Sequence, residues 1–481
     1  MATKRKTTTA EDVKKDRVRK AQAELAAALR DLAPEGSFAE WEEELLELTD
    51  EVRKEATQGK LQALADQLGD EVKVKGKTYK RHQSGTVKYY GLSGCMLVTR
   101  STYREVGVRN GPTIVPLELV AGLAERATPA LAKNIAHGYA RHDIRTHCDV
   151  LREAYCSPPP RATAERIAKA LAHDAHQAVA TVEKLAFGRE SVPEEARGVT
   201  LGFDRTSVPM AEEPPPGTEK SAPKRSTPYV RAKPAPMQVN WRMAYIGTVC
   251  LVDKDGEAIK TYRYAGTAAD DPQELIERMG WQLASLLEQA PRLNVGIVQD
   301  GAPEMWSAMR GLLQRLRSRG LLTDWQEAID LPHVVQRLGE AFKLTHTDAS
   351  DSVEYWKKAL IESDNSIDTI EAILERGLGS LPGEAQAILQ EHLTYIENNK
   401  DRMRYARLRR LGLPIGSGVT ESTAKNVVNM RTKRSGQRWS IAGLRGVLTL
   451  RALLKSDRLA RFWTVMSRRY ELTVSTLAAA A

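Results

Sequence analysis

Cysteine is scarce in this chain. Its 481 residues include four, Cys95, Cys148, Cys156 and Cys250, and no two form a CxxC pair. That excludes a disulfide framework and points to a reducing compartment. His142, His147, Cys148 and Cys156 lie close together, but their spacing matches no common zinc finger and the stretch reads as ordinary helix. Long apolar runs are also lacking. No segment approaches the length needed to cross a bilayer, so no membrane partner is expected. The opening "MATKRKTTTAEDVKKDRVRK" is basic with no apolar segment behind it. It reads as no secretory signal and predicts an intracellular protein.

Acids run short in one region. Between Asp401 and Arg469 stand 17 Lys and Arg against Asp401, Glu421 and Asp457, in a chain whose net charge is +9. Such an excess is either a solvated face of exposed helices or a surface for a polyanion, usually nucleic acid.

With 42% hydrophobic residues the chain is long enough for two to four globular domains. Residues 1–70 read as a helical arm suited to packing or oligomerisation. Ser37 and Glu40 have the spacing of a capping box, and Trp41, Leu45, Leu48 and Val52 recur at helical spacing. Residues 71–118 alternate and are rich in Val, Thr and Tyr, which predicts a small antiparallel β element. Residues 119–190 read as helices, two of them separated by "CSPPPRATA", with Thr163 as a cap. That is the pattern of a helix-turn-helix DNA reader and equally of any helical hairpin.

From residue 197 to 345 strands and helices alternate. "VTLGFDRTSVPM" reads as a strand ending at Asp204. The proline-rich residues 210–237 read as a loop inserted in a hairpin. Two strands joined at Asp255-Gly256 follow, then a helix over 272–289. An apolar strand ends at Asp300, and another ends at Asp330, with a helix beginning near His333. Three antiparallel strands followed by βα units predict an α/β fold with a mixed sheet in ribonuclease H-like order.

Reactive groups in open α/β sheets gather at the carboxyl ends of strands near a switch in strand order. Asp204 and Asp300 at neighbouring strand ends would repel unless cations bind between them. Magnesium or manganese would relieve that repulsion and coordinate phosphate oxygens. Glu421, in the first turn of the helix "VTESTAKNVVNM", is the candidate third acid, although the helix dipole alone would also favour a Glu there. Lys425, Arg431, Lys433, Arg434 and Arg438 follow it and would hold phosphates, giving affinity but little sequence choice. Trp439 is either a base-stacking or a core residue. Asp330 and His333 form an Asp-x-x-His pair. It reads as an accessory metal ligand or proton relay, or as a helix cap with a partly buried histidine.

The blocks "YIENNKDRMRYARLRRLGLPIGSGVTESTAKNVVNMRTKRSGQRWS", "VLTLRALLKSDR", "VQDGAPEMW" and "DLPHVVQRL" resemble DDE-type transposases of bacterial insertion sequences, most like the ISKra group. The resemblance covers most of residues 197–465. It implies a metal-binding catalytic triad of Asp204, Asp300 and Glu421 holding two Mg2+ or Mn2+ ions. It also implies a helical insertion over 346–410, and final core helices over 411–470. The implied partners are double-stranded DNA, both transposon end repeats and target DNA, bound by a homodimer or larger assembly in a bacterial cytoplasm, at the nucleoid. The implied reaction is strand cleavage followed by strand transfer. Two departures stand out. Arg205 follows Asp204 where relatives tend to have glycine, and the cysteine-rich zinc element common in relatives is missing. Arg205 keeps open the reading of a transposase-derived DNA-binding protein that does not cut, and a ribonuclease H-like nuclease that hydrolyses DNA without strand transfer is a third reading.

Overall fold

A computed structural model describes residues 10–31, 36–213, 237–300, 303–346, 348–471 and 474–476. Most of the proline-rich loop expected over 210–237, and Gly301 beside Asp300, lie outside the described residues. The chain divides into two compact units. One comprises Met1–Ala132, Ile144–Glu165 and Tyr470–Ala481, and the other Lys133–Asp143 and Arg166–Arg469.

The first unit opens with helices α1 (Ala10–Asp31) and α2 (Phe38–Asp66). Ser37 caps α2 in a reciprocal box, its N–H donating to Glu40 Oε2 at 2.6 Å. Strands β1 (Glu71–Val74), β2 (Lys77–Gly91), β3 (Gly94–Glu105) and β4 (Thr113–Ile114) form an antiparallel sheet. Gln62 of α2 accepts from Thr99 N at 2.9 Å and donates to Thr99 O at 3.1 Å, so side-chain amides occupy backbone groups on β3. Only the second half of α2 is covered this way. Leu61 is buried, but Val52, expected on the apolar face, is 46% exposed. A strand at Val474–Thr476 pairs with β1, extending the sheet with residues from the far end of the chain.

Helices α3 (Pro116–Val120), α4 (Pro129–Arg141), α5 (Ile144–Glu153) and α6 (Arg161–Phe187) precede the second sheet in the chain. That sheet contains β5 (Gly198–Glu212), β6 (Gln238–Val252), β7 (Ala258–Gly266), β8 (Asn294–Gln299) and β9 (Gln326–Ile329) in the order β7-β6-β5-β8-β9. The first three are antiparallel to one another, and β8 and β9 run parallel to β5. Gly256, at φ +81°, makes the turn between β6 and β7.

Helices α7 (Pro272–Gln289), α8 (Pro303–Ser318) and α9 (Leu331–Thr345) bury Met279, Leu283, Met309, Leu313 and Phe342 in one core with Phe203, Ile297 and Ile329 of the sheet. Then α10 (Ala349–Glu362), α11 (Ser366–Leu378), α12 (Gly383–Asn399) and α13 (Tyr405–Arg410) form a helical stretch. It is tied back to the sheet by Tyr405, whose hydroxyl donates to Ile329 O at 2.9 Å. The remaining helices are α14 (Gly418–Thr423), a π-helical turn at Ala424–Asn429, α15 (Met430–Thr432), α16 (Ile441–Lys455) and α17 (Leu459–Glu471).

Three expectations need correction. Thr163, expected to cap the second helix, lies inside its first turn, because α6 already begins at Arg161. Asp204 does not end its strand: β5 stays paired with β6 from Gly198 to Glu212. What stops near Asp204 is the pairing with β8, whose last partners are Leu201 and Ile297. Arg431, expected among phosphate-binding cations, is 2% exposed. Its guanidinium lies 5.3 Å from the Tyr139 ring centre and 4.8 Å from that of Trp439. These aromatic faces hold the cation by its attraction to the ring quadrupole and exclude it from solvent.

Candidate active site

The second sheet brings four of the sequence-selected residues together. Asp204, Asp300, His333 and Glu421 line one cavity of about 270 Å3, with Phe203, Gln299, Ser417 and Thr420. The cavity opens where β5 has lost β8 as a neighbour, at the switch in strand order.

Local geometry brings Glu421 to this point. A Cβ on Gly202 would lie 1.9 Å from Thr420 Oγ1, so glycine is what permits α14 to lie against β5. Thr420 Oγ1 also lies 3.0 Å from Thr248 Oγ1 on β6, which fixes the helix over the two strands. Ser417, immediately before α14, donates its hydroxyl to Glu421 Oε1 at 2.9 Å. The Ser417 N–H donates to Asp330 Oδ1.

Asp330 is fully buried at the head of α9. Its second oxygen, Oδ2, lies 2.7 Å from His333 Nδ1. Its own N–H donates to Gln299 O at 3.1 Å, and Leu331 N donates to Ile415 O at 3.0 Å. Asp330 therefore joins β8, α9 and the turn that carries Glu421. Asp330, His333 and Glu421 each offer a ligand atom within 4.8 Å of the others, a grouping able to hold a metal ion.

The electrostatics are those of a site with excess negative charge. Burial pushes the Asp204 carboxyl above the usual aspartate range, and Asp300 and Glu421 push in the same direction. The Arg205 N–H, donating to Asp204 Oδ1 at 2.6 Å, opposes the shift. The Arg205 side chain pairs with Glu304 at 2.9 Å.

The basic residues divide. Lys425, Lys433, Arg434 and Arg438 are exposed. Lys433 Nζ donates to Thr206 Oγ1 at 3.0 Å, two residues along β5 from Asp204. Arg434 lies 3.5 Å from Asp143. Trp439 is buried, and its indole donates to Thr432 O at 3.3 Å. Sequence reasoning did not assign a role to Ser417 or Thr420. The four-residue spacing of Ser417 and Glu421 was a signal for a side-chain contact across one helical turn.

No protein-family model matches the chain, and no curated protein matches it. Among solved structures, a match is found to the Drosophila P element transposase strand transfer complex, with 13% identity and a TM-score of 0.23. The match covers 71% of this chain and 81% of that one. At this score the likeness is too distant to bear on fold or activity. Among the described residues no helix is long and apolar enough to cross a membrane.

Proposed function

We propose that the chain is a DDE-type DNA transposase with a ribonuclease H-like catalytic sheet. One observation carries this reading. Asp204, Asp300 and Glu421, 96 residues (204 to 300) and 121 residues (300 to 421) apart in the chain, line a single cavity at the strand-order switch. The strand order, with two parallel strands beside three antiparallel ones, supports the same reading.

Among the described residues, the ligand atoms already within 4.8 Å of one another are those of Asp330, His333 and Glu421, and the triad offers donors whose chemistry suits divalent ions. The donors of the triad are all carboxylate oxygens, which suit Mg2+ or Mn2+. The raised Asp204 pKa reflects burial and carboxylate charge that a cation would offset. When bound, such ions activate water and stabilise the leaving oxygen of a phosphodiester.

The chain's own groups do the rest. Ser417 and Asp330 hold the turn that presents Glu421. His333, against Asp330, is in the accessory position, able to add a ligand or carry a proton. Lys425, Lys433, Arg434 and Arg438 bind backbone phosphates. In the first step a water oxygen attacks phosphorus and the bond to the 3′ oxygen breaks, leaving a 3′-hydroxyl. In the second, that hydroxyl attacks a target phosphodiester and a target 3′ oxygen leaves. Pairing of two DNA ends calls for a homodimer or a larger assembly.

Arg205 supports a second reading, a DNA-binding protein that no longer cuts, since its guanidinium places a fixed positive charge near Asp204 where a metal ion would otherwise supply it. Duplex carrying the element's ends, incubated with the chain and Mg2+, separates the two. Nicked and joined products are expected from the native chain and none from Glu421→Gln. Binding without cleavage under Mg2+ and Mn2+ alike overturns the transposase reading, and nicks that never join identify a nuclease.

A further inference from the structure

A second cavity, of about 210 Å3, opens between α6 and the amino end of α16. Lys169, His173 and His176 reach it from one face of α6, and Arg445 and Gly443 from α16. No carboxylate lines it. Lys169 and His173 are exposed, and their side chains make no hydrogen bond or ion pair among the described residues. Arg445 pairs with Asp270 at 2.5 Å, yet its buried Nε has no partner. Burial, helped by Arg445, Arg278 and His173 and opposed by Asp270, lowers the pKa of His176. The walls are therefore cationic and polar, with unused donors.

Helix α16 adds to this field. It is 15 residues long, and its cap Ser440 accepts from Gly443 N at 3.2 Å. The other first-turn N–H groups of a helix have no partner within it, and the dipole favours an anion there. A Cβ on Gly446 would lie 3.1 Å from the Ala172 backbone carbon, so the two helices meet almost backbone to backbone below the cavity. A small opening with several donors and no acid suits a phosphodiester, which has acceptor oxygens and one negative charge.

The position relative to the carboxylates specifies which phosphate. Trp439 pairs with the far part of β5, its N–H donating to Pro209 O at 3.1 Å and its O accepting from Ala211 N at 2.8 Å. Ser440, the cap of α16, follows directly. From Asp204 to this point the strand advances about six residues, or roughly 20 Å at ~3.3 Å per residue. Lys433 at Thr206 stands between. Measured along the duplex axis, one strand carries a phosphate every ~3.4 Å, so a duplex lying along β5 covers this distance in about six nucleotides. We propose that this cavity is a phosphodiester site, taking a DNA backbone phosphate about six nucleotides from the one cut at Asp204, Asp300 and Glu421. The inference rests on the DNA-processing reading of the carboxylate site.

The test is equilibrium binding of the full chain to a duplex across a range of KCl concentrations. Lys169→Gln/His173→Gln is expected to weaken binding about tenfold and to reduce the slope of log K against log salt by about 1, the value of one lost phosphate contact. Lys169→Arg should keep the native slope. Should the double variant melt lower than the native chain, Lys169→Gln alone, at an exposed position, is judged by the same slope. An unchanged slope overturns the proposal, whether or not the chain cuts DNA. The cleavage reading is tested separately, by Glu421→Gln, which should retain the full slope. Titration with inorganic phosphate, followed by the imidazole NMR signals of His173 and His176, distinguishes the ligand source. Shifts with phosphate but no change of DNA slope in the double variant mean a small-anion site and overturn the assignment to DNA.

Discussion

Ser417 donates its hydroxyl to Glu421 Oε1 at 2.9 Å, one helical turn away. The same residue's N–H donates to buried Asp330. Ser417 thus ties the orientation of an exposed carboxylate to a fully buried one. Ser417→Ala should lower the cleavage rate about tenfold, the equivalent of ~1.4 kcal/mol, close to the lower end of the range for a hydrogen bond to a charged group. DNA affinity should not change. Single-turnover cleavage alongside a binding isotherm measures both, and equal losses in each would show that the bond serves folding instead.

Neutralising any of the three acids should stop cleavage without releasing DNA. Asp204→Asn, Asp300→Asn and Glu421→Gln are each expected to cut at least ~100-fold more slowly, the scale of losing a main electrostatic contributor. Gel-based cleavage in Mg2+ and then Mn2+ reads the rate. A variant that cuts at the native rate removes that residue from the triad.

The raised pKa of Asp204 has a stability consequence of definite sign. Below the unfolded pKa both states hold the proton and no penalty exists. As pH rises through the raised folded value, the folded protein must give up a proton it binds more tightly than the unfolded chain does. Metal-free protein should therefore lose stability over that window, and Asp204→Asn should melt higher than the native chain at neutral pH. Added Mg2+ should raise the native melting temperature and raise that of Asp204→Asn less. Scanning calorimetry at several pH values checks each part.

Gly202 is the point of closest approach between β5 and α14. Gly202→Ala places a carbon 1.9 Å from Thr420 Oγ1 and 2.8 Å from Thr248 Oγ1. Overpacking of this kind costs about 1–3 kcal/mol. The displaced α14 should also slow cleavage. Adding Thr420→Ala removes the worst contact, so the double variant should recover stability relative to Gly202→Ala in urea denaturation.

Arg458 is buried with Glu190, donating through Nη2 at 2.6 Å and Nε at 3.0 Å, and its Nη2 also donates to Gln282. Arg458→Met would strand the Glu190 carboxylate inside the protein. Removing one partner of such a pair typically costs about 3–5 kcal/mol. Chemical denaturation should show a loss on that scale, and Arg458→Met/Glu190→Leu should recover much of it.

Much of the second sheet was legible because its boundaries carry chemical signals. The Asp255-Gly256 turn and the apolar runs ending at Asp300 and Asp330 each mark an element end. Asp204 was misread because the alternation of a strand says nothing about which neighbour it has. Only the partner register shows that β6 continues while β8 stops. Arg431 was misread because a cation inside a basic run looks like surface. Its burial depends on Tyr139, nearly 300 residues earlier in the chain, whose ring lies near its guanidinium. The Val474–Thr476 strand is three residues long, too short to leave any periodicity. The π-helical turn after Glu421 has the same composition as an α-helical one.

That wide turn has a consequence for how the acid is supported. It leaves backbone carbonyls displaced from their usual partners. Arg451 on α16 answers them, donating to Val427 O at 2.7 Å, to Asn426 O, and to Ala140 O on α4. Burial, with Arg431 and Arg434 nearby, pushes its pKa down to about 10, so it stays cationic in neutral solution. A single planar guanidinium thus clamps three segments just behind Glu421. A lysine, with one nitrogen in place of three, would leave that splint incomplete, and the carboxylate would gain freedom from a change made well outside its own cavity.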